Sequence, residues 1–261
     1  MQDIFVGDTG SGAPLVLIHG FLGSADMWEP QIEYFKKKYR ILTPDLPGFG
    51  KSRRIKPCDT IEDMANKILN SLELRKVEKF YLLGHSMGGM IVQEIAKLAG
   101  EKILKLICYG TGPMGNIPGR FETMDQSRKK LKINGLENTA YRIAKTWFVE
   151  EEKAKYFYLC KKSGKQTSIE AADNGLVAMK NWSGVDNLKN IKNKTLIIWG
   201  DQDKAYNYDQ VKTLKDNIPN SDLKIIKGCS HNVHLEKPDE FNTLVGEFLK
   251  KNWLVLAEIF S

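Results

Sequence analysis

Phe80-Tyr81-Leu82-Leu83-Gly84-His85-Ser86-Met87-Gly88-Gly89 joins a short apolar run to a glycine-flanked serine, and a helix-forming stretch from Met90 to Leu98 follows. An apolar run of this length reads as a strand buried on both faces. Strand, sharp turn and helix together give G-x-S-x-G its meaning. The serine backbone is strained, no Cβ fits at the flanking positions, and Oγ projects above the sheet. The helix behind it presents free N–H groups toward developing negative charge.

Outward from this segment the same rhythm recurs. Leu15-Val16-Leu17-Ile18, Ile41-Leu42-Thr43, Leu104-Lys105-Leu106-Ile107, Thr195-Leu196-Ile197-Ile198 and Leu223-Lys224-Ile225-Ile226 are further runs expected as strands buried on both faces. Helical patterns separate them, such as Ile61 to Leu74, opened by Asp59 and Glu62 at capping-box spacing. Alternation of this kind predicts an α/β protein with a mainly parallel sheet flanked by helices. Residues 113–188 break the rhythm: they hold helix-like segments rich in aromatic residues and no convincing buried strand. They are expected to form an inserted helical cap over the sheet ends, with 1–112 and 189–261 as the core domain.

A serine hydroxyl needs a base to take its proton. Of the four histidines, His19 and His85 are expected to shape their turns. His231 and His234 follow the last strand on a loop that can reach the C-terminal edge of the sheet, where parallel sheets bind ligands. His231 is favoured because it comes first after the strand. The base in turn needs a carboxylate to fix its tautomer. Asp201 and Asp203 compete in Trp199-Gly200-Asp201-Gln202-Asp203; Asp201 sits in the turn and can bond local backbone, leaving Asp203 to reach the histidine. Backbone N–H groups of Met87 and of Phe21, in the loop His19-Gly20-Phe21-Leu22-Gly23, are the expected oxyanion donors.

On His19-Gly20-Phe21, Asp45-Leu46-Pro47-Gly48-Phe49-Gly50-Lys51-Ser52, Gly84-His85-Ser86-Met87-Gly88-Gly89, Gly200-Asp201-Gln202-Asp203 and Ser230-His231, the chain resembles the α/β-hydrolase family over nearly its whole length. That resemblance implies the α/β-hydrolase fold with a helical cap and a catalytic triad of Ser86, His231 and Asp203. It also implies a hydrolase that cleaves carboxylic esters or lactones through an acyl-enzyme, in the manner of a carboxylesterase. Family members that cleave carbon–halogen bonds or epoxides use Asp as nucleophile, because serine would form an inert ether. Carbon–carbon bond hydrolases of the meta-cleavage type are similar to this chain as well, but commonly carry Asn where it has His85. Perhydrolases of the same fold use the same triad, and slow-turnover ligand receptors of the fold retain it. The intact triad and oxyanion loop favour an enzyme, since each part serves a charged tetrahedral intermediate.

Composition limits the partners. A chain of 261 residues with 42% hydrophobic content supports one large core, and its net charge of +7 comes from lysines spread among 32 acidic residues, a solvated surface and not a nucleic-acid footprint. No window approaches a membrane span, and Met1-Gln2-Asp3-Ile4 lacks a secretory pattern, so a cytoplasmic location is expected. Cys58, Cys108, Cys160 and Cys229 are scattered, which argues for reduced thiols and against a metal site or disulfide framework. The expected partner is a small-molecule ester, with no metal or cofactor. Trp147, Phe148, Met179 and Trp182 are weaker candidates for the pocket lining. Gly50-Lys51-Ser52 mimics the end of a phosphate-binding loop but has Asp45 where that motif needs glycine. Gly110 to Gly115 satisfies G-x-G-x-x-G but leads into the insertion, with Pro113 in the turn. The apolar terminus from Trp253 to Ser261 is read as packing, a partner site or a scar, and oligomeric state is not legible.

Overall fold

A computed structural model describes residues 3–116 and 120–250. The apolar terminus from Trp253 lies outside the described residues. In chain order the elements are β1 (Val6–Thr9), β2 (Pro14–Ile18), α1 (Glu29–Phe35), β3 (Arg40–Pro44), α2 (Ile61–Leu74), β4 (Phe80–His85), α3 (Met87–Ala99) and β5 (Ile103–Tyr109). Then come α4 (Met124–Lys145), α5 (Phe157–Lys165), α6 (Ile169–Asn181), β6 (Thr195–Gly200), α7 (Tyr208–Asn217), β7 (Ser221–Ile226), α8 (Val233–Glu236) and α9 (Pro238–Lys250).

The described residues form a seven-stranded sheet in the order β1-β3-β2-β4-β5-β6-β7, with β1 antiparallel and the rest parallel. Alternate residues of the inner strands enter opposite cores. Val16, Ile18, Phe80 and Leu82 pack with α2, α3 and the helices that follow β5, while Leu15, Leu17, Tyr81 and Leu83 pack with α1 and α9. Strands covered on both faces need apolar residues at both parities, which is why they read as unbroken runs. After β3 the chain returns to the far side of β2 as β4, so strand order reverses between β2 and β4. Loops diverge at such a point and leave a crevice, here between the turn after Ile18 and the turn after His85.

Four expectations need correction. The apolar pattern gives no sign of β1: Val6-Gly7-Asp8-Thr9 is short, half exposed, and paired only with β3. β7 is not buried on both faces, because it pairs only with β6 and leaves Asp222, Lys224 and Ile225 exposed. The cap of α2 is Thr60, not Asp59; its extended backbone sets Oγ1 to accept from the Asp63 N–H at 3.0 Å. Finally α3 starts at Met87 rather than Met90, and the low helix propensity of Gly88 and Gly89 hides its first turn.

Between β5 and β6 lie α4, α5 and α6, and α4 breaks at Gly135, whose φ is 75°. The two ends of this segment meet: Gly184 N–H donates to Pro113 O at 2.8 Å and Gly115 N–H to Trp182 O at 3.1 Å. Among the described residues no helix is long and apolar enough to cross a membrane.

Candidate active site

Ser86 has φ 58° and ψ −117°, a left-handed conformation that a non-glycine residue adopts only when its surroundings enforce it. The enforcement is steric. A Cβ at Gly84 would strike the carbonyl of Gly88, and one at Gly88 would strike the carbonyls of Ile18 and His19. Ser86 N–H donates to Tyr109 O at 2.9 Å, and Thr111 Oγ1 donates to Ser86 O at 2.9 Å. The strained residue is thus tied on both sides of its Cα, to the end of β5 and to the turn that follows it.

β6 brings the acid to the same edge. Asp203 Oδ1 accepts from the N–H groups of Ala205 at 2.7 Å and Tyr206 at 3.2 Å, and Oδ2 accepts from His231 Nδ1 at 2.8 Å. Both side chains are buried, at 0% and 2% exposure for Asp203 and His231, so the bond is shielded from water. With the proton on Nδ1, Nε2 carries a free lone pair suited to a base. Asp201 points elsewhere: its Oδ1 accepts from Gly228 N–H at 2.7 Å. Among the described residues no hydrogen bond joins Ser86 Oγ to His231; in unliganded hydrolases this contact commonly tightens only around substrate.

The other three histidines are buried and neutral. His19 Nδ1–H donates to Gly20 O at 2.8 Å, and its Nε2 accepts from Leu46 N–H at 3.1 Å. His85 stacks on Tyr109 at 4.5 Å and meets the His231 carbonyl at 3.2 Å. Burial, with help from His231 and His234, pulls its pKa well below the usual imidazole value. His234 Nδ1 lies 3.0 Å from Tyr109 Oη, and burial pushes its pKa down to about 3. Tyr109 Oη–H in turn donates to the His231 carbonyl at 2.8 Å. His231 therefore rests on a buried polar platform rather than on a free loop.

The turn after β2 approaches closely because residue 20 is glycine: a Cβ there would lie 2.9 Å from Ser86 Cβ. As first residue of α3, Met87 has no intrahelical acceptor for its N–H. The Phe21 N–H makes no backbone hydrogen bond among the described residues. Both therefore keep a free donor beside Ser86. The Phe21 ring and Met87 sulfur also pack on Gly175 of α6, with 3.2 Å and 3.7 Å to the Cβ position.

Of the lining candidates, Trp147 reaches the site, its ring 6.1 Å from His231 and its carbonyl accepting from Asn232 N–H at 2.9 Å. Phe148 packs edge-on against Phe157 at 5.8 Å, Met179 is buried in the core of that segment, and Trp182 Nε1–H donates to Glu94 at 3.1 Å. Two neighbours are not legible from the motifs. Tyr206 stacks on His231 at 5.8 Å with 17° between planes, and its buried hydroxyl has Ser86, Thr111 and Arg120 as polar neighbours. Tyr206 is three residues past Asp203, so proximity in sequence is its one signal; Arg120 offers none. The phosphate-loop mimic is occupied by its own carboxylate, since Asp45 accepts from the N–H groups of Ala25 at 2.6 Å and Lys51 at 2.7 Å. A groove of about 610 Å³ between α1 and α9 includes none of Ser86, Asp203 and His231.

A parallel sheet reversing at β2/β4, with a serine elbow at that reversal and an Asp–His pair beside it, defines the α/β-hydrolase class. The chain belongs to that family: residues 13–238 match the model of the alpha/beta hydrolase fold. A pimeloyl-[acyl-carrier protein] methyl ester esterase of Legionella pneumophila is 28% identical over 257 residues, 95% of this chain and 100% of that protein. A 2-hydroxy-6-oxononadienedioate/2-hydroxy-6-oxononatrienedioate hydrolase of Burkholderia vietnamiensis is 30% identical over 94% of this chain and 90% of its own length. Among solved structures, a bromoperoxidase from Bacillus anthracis superposes with a TM-score of 0.88 at 26% identity, covering 95% of each chain.

Proposed function

We propose that this hydrolase cleaves carboxylic esters, lactones included, through Ser86, His231 and Asp203. The observation that carries the reading is the shielded Asp203–His231 hydrogen bond beside a serine held at φ 58°. His231 Nε2 takes the Ser86 proton as Oγ attacks the ester carbonyl, and the imidazolium that forms is stabilised by Asp203. The N–H groups of Phe21 and Met87 hold the oxyanion, reinforced by the N-terminus of α3. Collapse of the tetrahedral intermediate expels the alcohol, which takes the proton from His231 and leaves an acyl-serine. Water then attacks this ester with His231 again as base, releasing the acid and restoring Ser86.

Residues 113–188 act as the cap in this reading, and 1–112 with 189–261 as the core domain. The meeting of residues 113–115 with 182–184 gives that insertion a narrow neck. The four free thiols suit a reducing compartment such as the cytoplasm. Hydrolysis of p-nitrophenyl esters from acetate to octanoate tests the proposal. Wild type turns them over and Ser86→Ala loses about 10⁴-fold or more in kcat. Folded wild type that hydrolyses none of them overturns the simple-ester reading and directs the search to carbon–carbon bond substrates.

A further inference from the structure

Arg120 lies between β5 and α4, partly exposed as a residue but with its Nε buried. Its Nε is out of contact with solvent and has no hydrogen-bond partner; no ion pair reaches its guanidinium from the described residues. Among the described residues its aromatic contact is the ring of Phe121, 5.3 Å from Cζ, which covers a face of the guanidinium and leaves the in-plane donors unused. The charged or titratable groups around it are Tyr206, Glu122 and Asp203.

None of these neutralises it directly. Glu122 is paired with Lys130 at 2.7 Å and Arg142 at 2.9 Å. Asp203 is committed to His231 and to two backbone N–H groups. Tyr206 keeps its proton, because burial pushes its pKa up to about 12 despite Arg120, Ser86 and Thr111 nearby. The Tyr206 hydroxyl is itself buried, with the Ser86 and Thr111 hydroxyls nearby but no partner at hydrogen-bonding distance. A guanidinium and a phenol, each with a donor to spare, are therefore electrostatic neighbours, and the phenol lies beside Ser86. Buried donors are nearly always partnered, and Arg120 Nε and the Tyr206 hydroxyl are not, so the arrangement calls for an acceptor from outside the chain.

We infer that Arg120 and the Tyr206 hydroxyl form an anion subsite, and that the ester substrate carries a carboxylate held there while Ser86 attacks its ester carbonyl. A carboxylate suits the subsite better than a phosphate dianion: one cation is available, and the carboxylates of Asp203 and Glu122 already stand nearby. A planar carboxylate also matches the forked donors of a guanidinium. This rests on the serine-hydrolase reading, and the test separates the two.

The probes are p-nitrophenyl pentanoate and mono-p-nitrophenyl glutarate, of equal chain length, one ending in a methyl and the other in a carboxylate. Wild type should favour the glutarate in kcat/KM by about tenfold or more, the scale of a charge-assisted hydrogen bond. Arg120→Gln should lower that ratio about tenfold, Arg120→Lys should restore part of it, and Tyr206→Phe should lower it less. Ser86-dependent hydrolysis of both esters, with a ratio near unity that Arg120→Gln does not move, overturns the subsite and leaves the hydrolase standing. If neither ester is hydrolysed, the simple-ester reading fails and calorimetric titration of glutarate decides the subsite alone. Binding weakened about tenfold by Arg120→Gln supports it, and absent or unchanged binding overturns it.

Discussion

Around Ser86 backbone meets backbone, whereas across α4, α5 and α6 charged side chains reach between helices. The elbow is fixed by glycines packed on carbonyls and by N–H groups of Ser86 and Gly110 that donate to Tyr109 and Ile198, each at 2.9 Å. In the helical segment Arg128 holds Asp173 through two bonds of 2.7 and 2.8 Å, Lys180 holds Asp125, and Glu122 gathers Arg142 and Lys130. Contact with the body continues in this style, through Lys162–Asp26 at 2.8 Å and Ser24–Ser163 at 2.7 Å. Backbone packing tolerates few rearrangements and suits atoms that must be placed to fractions of an ångström. Partly exposed ion pairs are individually weak and respond to pH and salt, which suits a surface that can rearrange.

The sharpest test of the first region compares its two aspartates. Asp203→Asn keeps the size of the side chain but can present an amide to His231 Nδ1, favouring the wrong tautomer; kcat should fall about 10³-fold. Asp201→Asn removes a carboxylate that, among the described residues, bonds Gly228 N–H and pairs with Lys227, and kcat should change less than about threefold while Tm falls slightly. Equal losses in steady-state assays of the two variants would mean that the acid has been misassigned.

A smaller effect is expected one layer down. Tyr109→Phe removes the hydroxyl that donates to the His231 carbonyl and pairs with His234 Nδ1. His85 still reaches that carbonyl, but His234 loses its partner in a site closed to water, so unfolding should become easier by about 1–3 kcal/mol in denaturant titrations. The pH profile of kcat/KM should shift along with the stability, because the platform under His231 has loosened. A stability loss with an unmoved profile would reduce Tyr109 to packing.

The two regions also differ in how far the sequence discloses them. Backbone constraints leave a residue signature: only glycine fits at 84, 88 and 20, so the serine elbow and the turn after β2 are legible, and strands buried on both faces appear as apolar runs. Edges leave none. β1 is half exposed and β7 alternates, so the pattern passes over one and overstates the burial of the other. Pairing of distant side chains leaves no local signature either. Arg128 meets Asp173 across 45 residues, and nothing around Arg120 marks it as a neighbour of Tyr206. The helical character of 113–188 can be read, but the side-chain pairs that hold its helices together cannot.

The mildest prediction for turnover probes the ionic region by itself. Burial alone would raise the pKa of Glu122, but hydrogen bonds from Arg142, Lys130 and Ser127 outweigh it and bring the value down from 4.5 to about 2. A carboxyl depressed on folding contributes stability that is full above its unfolded value and is lost as pH falls through its folded value. For Glu122 that window runs from about pH 4.5 to about pH 2. Glu122→Gln has nothing to titrate there, so it should be less stable than wild type at neutral pH and should converge with it across the window, with little change in turnover. The buried histidines do not confuse the comparison. His234, with its pKa lowered from 6.5 to about 3, weakens the fold as pH falls over that range, but it does so in both proteins and cancels from the difference. Acid titrations of the two by circular dichroism give that difference directly. A gap that stays constant down to about pH 2 would mean that Arg142 and Lys130 do not depress the Glu122 carboxyl, and that packing holds the helical segment as it holds the elbow.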